Sequence, residues 1–162
     1  DDLTFVEIET RKRILRALEF YRKYVPGYQE VRLLSIASQI GVRDSRRIVA
    51  RHRVTAEEMA KGVYYDDTIG LTAMSFKEGN HLRVPYRSPV PQKTDGLLSA
   101  GRCIDAGDSV IHSIRLIPPC MMTGQAAGTA AAMCVEGKIE PRDLPYADLR
   151  KRLEAEGVIL AD

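Results

Sequence analysis

Apolar side chains recur at helical spacing from Thr4 to Tyr24, with Ile14, Leu15, Leu18 and Tyr21 on one side, and predict an amphipathic helix. Thr4 is its expected N-cap, with Glu7 three residues on as capping-box partner, and Pro26-Gly27 ends it. Glu30–Gln39 and Arg47–Val54 carry β-branched and apolar residues that read as strands, and Thr55 opens a short helix with Glu58 in the box position. Thr68–Phe76 and His81–Tyr86 predict two further strands, joined by the turn Lys77-Glu78-Gly79-Asn80. After a loop punctuated by Pro89 and Pro91 come a strand over Leu97–Ile104, an irregular link, a helix from Pro118 to about Val135, and a last amphipathic helix over Tyr146–Glu156. This succession defines a mixed α/β chain without repeats or low-complexity tracts.

The region from Leu97 onward is unusual in its side chains. Gly124 and Gly128, four residues apart, share a helix face with Ala127 and Ala131, and so small a face admits another backbone or a flat ring at contact distance. The same spacing also suits a helix packed tightly on a sheet. Alanines around the glycines sustain a helix in which each glycine costs up to about 1 kcal/mol. Pro118 and Pro119 belong before or in the first turn, where a missing N–H is harmless. On that reading the N–H groups of Met121 to Gln125 point out of the helix start toward an electron-rich atom.

Charge and cysteine content exclude several classes. The formal charge of +2 on 162 residues gives no electrostatic argument for nucleic acid, and the basic runs at Arg11–Arg13, Arg43–Arg53 and Arg150–Arg152 suit solvated faces. No apolar run is long enough to span a bilayer and no secretory h-region opens the chain, so a cytoplasmic setting is expected without membrane contact. Three cysteines without paired spacing fit neither a disulfide framework nor a metal site. Cys103 and Cys134 read as small core residues, and Cys120 as a thiol near a helix start.

Several segments together resemble one family. Ala100-Gly-Arg-Cys-Ile104, Ser113-Ile-Arg115 and Pro118-Pro-Cys-Met-Met-Thr-Gly-Gln-Ala-Ala-Gly-Thr-Ala-Ala131 resemble the C-terminal flavin-binding motif of FAD-dependent oxidoreductases with the glutathione-reductase-type two-domain fold. That broad group includes p-hydroxybenzoate hydroxylase and fumarate reductase, and the likeness is close to one bacterial branch. Gly41-Val-Arg-Asp-Ser-Arg-Arg47, Val84-Pro-Tyr-Arg87 and Val90-Pro91 resemble further segments of that branch.

The resemblance implies FAD as cofactor, hydride transfer from a small organic substrate, and a specific set of contacts. Gly101, Arg102 and Cys103 would pass the ribityl chain and pyrophosphate, and Met122, Thr123, Gly124, Gln125 and Ala126 would cradle the pyrimidine edge of the isoalloxazine. Arg115 lies between these pieces and is a candidate for binding substrate or steadying reduced flavin, while His112 and Asp108 are candidates for proton transfer. Arg43, Arg46, Tyr86 and Arg87 are substrate-binding candidates, since guanidinium groups suit carboxylates; bracing the sheet is the alternative for the arginines. The chain departs from its relatives at Asp105-Ala-Gly-Asp-Ser-Val-Ile111, where many carry a His- and Glu-bearing cluster.

The strand, Gly-x-Gly-x-x-Gly turn and helix that hold the ADP half of FAD in such enzymes are missing from this sequence. The chain therefore reads as the C-terminal portion of a larger enzyme, with residues 1–96 belonging to a substrate domain and 97–162 supplying the last strand and helix of the flavin domain. A chain or segment carrying the glycine-rich motif is the implied partner. The alternative is a non-catalytic subunit that docks on a partner through the small-residue helix.

Overall fold

A computed structural model describes residues 2–73 and 81–160. The expected turn Lys77-Glu78-Gly79-Asn80 and the end of the strand predicted over Thr68–Phe76 lie outside them. The chain divides into two compact units between Val42 and Arg43.

The first unit is built on α1 (Asp2–Tyr24). The helix begins ahead of Thr4, so the expected capping box does not form, and Glu7 instead pairs with Arg11 one turn on, at 2.5 Å. Asp2 in the first turn and Arg22 and Lys23 in the last complement the helix dipole. Beyond it the chain folds back along α1, with Arg22 Nε donating to the Val31 carbonyl (3.0 Å) and Arg11 Nη2 to that of Ser38 (3.2 Å). The strand predicted over Glu30–Gln39 does not form: the segment has no ladder partner among the described residues, and Leu34 is 98% exposed. None of residues 2–42 is buried.

The second unit holds the core. β1 (Thr68–Ala73) and β2 (His81–Pro85) pair antiparallel, as two strands joined by a short turn would, with a bulge between Thr68 and Gly70. α2 (Ala56–Lys61) precedes them, and its capping box is the one read from sequence: the Thr55 hydroxyl accepts from Glu58 N–H while the Glu58 carboxylate accepts from Thr55 N–H at 2.8 Å. α3 (Ile111–Ile114), α4 (Ile117–Gly137) and α5 (Tyr146–Ala155) follow. α4 packs on β1 and on α5, and Ile69, Leu82, Val84, Ile104, Ile111, Leu149 and Leu153 fill the space between. Each such side chain contributes about 1.5–3 kcal/mol on burial. Ala126 and Ala130 let the α4 backbone approach closely, and Met122 lies over Gly70 in β1.

Two further expected strands are absent in the second unit. Arg47–Val54 makes isolated bridges at Ala50 with Pro91 and Val54 with Ala106, and Leu97–Ile104 becomes an extended approach followed by a 3₁₀ turn over Gly101–Cys103. Neither segment has a continuous ladder partner among the described residues; Ser99 N–H, for instance, bonds the Pro89 carbonyl (2.9 Å) before the chain turns. The expected boundary between residues 96 and 97 falls inside the second unit, where Leu82 and Val84 share one core with Ile104 and Ala126.

Candidate functional site

The Gly101–Cys103 turn is fastened to α4 by a short relay. Gly101 takes a left-handed conformation (φ 67°), and its N–H donates to Thr123 Oγ1 at 2.9 Å. The Thr123 hydroxyl in turn donates to the Pro119 carbonyl at 2.8 Å. A Cβ on Gly101 would lie 3.3 Å from Cys120 Sγ, so the turn sits against the beginning of the helix. Arg102 and Cys103 are exposed, which corrects the expectation that Cys103 is a core residue; Cys134 is buried as expected.

The start of α4 differs from the expected one in a way that matters for chemistry. Leu116 is the N-cap and Ile117 the first helical residue, followed by the two prolines, and Cys120 N–H already bonds the Leu116 carbonyl at 2.9 Å. Met121 to Gln125 therefore stand inside the helix, their N–H groups engaged with carbonyls four residues back. Ile117 carries the outward-facing N–H, because proline has none. The amides of Met121 to Gln125 are thus not the free donors expected from the sequence.

What α4 does offer is a bare face. Gly124 and Gly128 are exposed, and a Cβ built on either meets nothing within 4 Å. Ile117 (77% exposed), Met121 (69%), Ala131 and Val135 (79%) extend this face along the helix. Thr123, Ala126, Ala127 and Ala130 are turned inward, so Ala127 does not belong to it. Gln125 is also exposed, and Met122 is half-buried against the core.

α3 places two of the candidates. Ile111 and Ile114 are buried, His112 is exposed between them, and Arg115 is the C-cap, one residue before the N-cap of α4. Arg115 Nε is buried and has no hydrogen-bond partner among the described residues. Asp108 does not reach His112. Its carboxylate accepts from Arg47 Nη2 at 2.6 Å and lies 3.8 Å from Arg53, and the bond and charge of Arg47 hold it below the usual carboxylate range. Arg47 also donates to the Ala106 carbonyl (2.5 Å) and lies 3.6 Å from Asp44.

The substrate candidates separate. Arg43 and Arg46 are exposed. Tyr86 is turned into the core, its hydroxyl donating to the Pro141 carbonyl at 2.8 Å, and Arg87 grips Asp67 through Nε (3.0 Å) and Nη2 (3.2 Å). Tyr86 thus braces the core, while Arg87 pairs with Asp67 at the surface, partners that their position after Pro85 does not reveal. The three arginines of the Gly41–Arg47 segment have no periodicity to rank them, but the spacing of three between Asp44 and Arg47 marks Arg47 as paired.

A family model described as FAD dependent oxidoreductase matches residues 1–78 and 72–153. The chain belongs to the FAD-dependent oxidoreductase family. Its cofactor is accordingly FAD. Neither a curated protein nor a solved structure matches it.

The residues fit that cofactor in two respects. The space over Gly124 and Gly128 is open, and side chains there would stand in the way of a flat ring. The unpartnered Nε of Arg115 is a donor suited to an anionic or electron-rich group.

Proposed function

We propose that this chain forms the flavin-facing portion of an oxidoreductase that takes hydride from a small organic substrate. The observation that carries the reading is the bare α4 face at Gly124, with no side chain of the described residues within 4 Å of an added Cβ. On this reading the Gly101–Cys103 turn lies beside the ribityl chain and pyrophosphate, and the Gly124 face lies along the ring. FAD, when bound, supplies the two-electron acceptor.

The other roles belong to this chain's side chains. Arg115 places positive charge where electron density accumulates, which favours the reduced state. His112, exposed on α3, accepts the substrate proton. Arg43 and Arg46 offer guanidinium groups to a substrate carboxylate. Residues 1–96 belong to the substrate side and 97–162 complete the flavin domain, as the C-terminal portion of a glutathione-reductase-type two-domain enzyme. The ADP half of the cofactor is held by a chain or segment that carries the glycine-rich motif. The free thiols of Cys103, Cys120 and Cys134 accord with a reducing, cytoplasmic setting.

Gly124→Val in the assembled holoenzyme tests the proposal. Valine is no worse a helix former than glycine and its Cβ has open space at this position, so the fold is expected to be retained. The expected result is loss of bound FAD, read by visible absorbance, with an unchanged unfolding transition of the chain. Unchanged FAD content would overturn the placement of the ring.

A further inference from the structure

We infer that Arg47 is a positioning residue that sets where Arg115 stands; the inference rests on the role proposed above for Arg115. The connection runs through backbone. Arg47 Nη1 holds the Ala106 carbonyl at 2.5 Å and Nη2 holds Asp108 at 2.6 Å, so one planar fork grips both sides of Gly107. Gly107 N–H bonds the Val54 carbonyl (2.8 Å), and the Gly107 carbonyl accepts from both Val110 and Ile111 N–H at 2.9 Å. Those two bonds begin α3, and Arg115 N–H closes it on the Ile111 carbonyl at 3.0 Å.

The two ends of this clamp are unequal. The Arg47 side chain is 18% exposed and that of Asp108 85% exposed, so Arg47 belongs to the wall and Asp108 is drawn onto it. Arg47 faces Asp44 on its own segment and Asp105 and Asp108 across from it, and the net effect raises its pKa, chiefly through the Asp108 bond. An arginine is charged at every working pH, so the guanidinium keeps its attraction for the loop wherever Asp108 is ionised. A lysine keeps the charge but loses the fork.

The test uses Arg47→Met, Arg47→Lys, Arg115→Met and the Arg47→Met/Arg115→Met double variant in the FAD-loaded enzyme. The fraction of reduced flavin is measured at equilibrium with one reference dye, and amide hydrogen exchange is followed at Val110, Ile111 and Arg115. Arg115→Met is expected to lower the reduced-to-oxidised ratio at least threefold. Arg47→Met lowers it in the same direction, speeds exchange at the three amides at least tenfold, and adds nothing further in the double variant; Arg47→Lys recovers part of the ratio. Unchanged exchange, or an Arg47→Met ratio equal to wild type while Arg115→Met shifts it, would overturn the role of Arg47 alone. An unchanged ratio in Arg115→Met would overturn the placement of Arg115 and this inference with it. Should Arg47→Met fail to fold, Asp108→Asn, which keeps the Ala106 bond, gives a smaller shift of the same sign; no shift there counts against the inference.

Discussion

Thr123 illustrates how a single hydroxyl fixes two elements. It is fully buried, accepts the Gly101 N–H and donates to the Pro119 carbonyl. Thr123→Val keeps the shape and strands the Gly101 N–H, so the chain is expected to lose about 1–3 kcal/mol in denaturant unfolding. Glu58 offers a test of pH dependence. Burial raises its pKa, but hydrogen bonds from Thr55 and the proximity of His52 outweigh that, and the net direction is down. A carboxyl whose pKa is depressed by folding contributes stability above its unfolded value and loses it as pH falls through the folded one. Unfolding free energy is expected to drop as pH goes below about 4, near the ordinary glutamate value, and Thr55→Ala is expected to flatten that slope and cost about 1 kcal/mol at neutral pH. A Thr55→Ala chain with the wild-type slope would contradict this reading of the box.

At the level of elements, legibility followed whether a segment carries its own stabilisation. α2, α4 and α5, with local periodicity and, for α2, a complete capping box, lie close to where the sequence put them. The β1–β2 pair was equally readable because its two strands are neighbours in the chain. The segments at Glu30–Gln39, Arg47–Val54 and Leu97–Ile104 have strand composition, but a strand exists through its partner, and the described residues supply them isolated bridges or none. The small-residue motif was legible as a feature, and its orientation was not: proline placement moved the helix start ahead of the expected donors, and burial divided Ala127 from Gly124. Packing of α4 on β1 also depends on a residue that periodicity does not mark. A Cβ on Gly70 would collide with Met122 Sδ, so Gly70→Ala must displace that side chain and is expected to cost about 1–3 kcal/mol, measured as a lowered denaturant midpoint.

On the scale of the whole molecule, the two units differ in how they are held. The second has a contiguous core, whereas α1 in the first exposes Leu3, Phe5, Leu15 and Phe20 and buries no residue. Amide exchange in the chain alone is expected to be fast throughout α1 and slow in α4, and comparable protection of both would contradict that division. Among the described residues no helix is long and apolar enough to cross a membrane. Family membership names the cofactor, and the bare face of α4 is the location proposed for it. The direct test is a visible spectrum of the protein purified from its native source, with chromatographic identification of released flavin and intact-mass analysis of every co-purifying chain. The account predicts FAD, carried with a chain or segment bearing the glycine-rich motif. A colourless complex that contains that motif in full would contradict it.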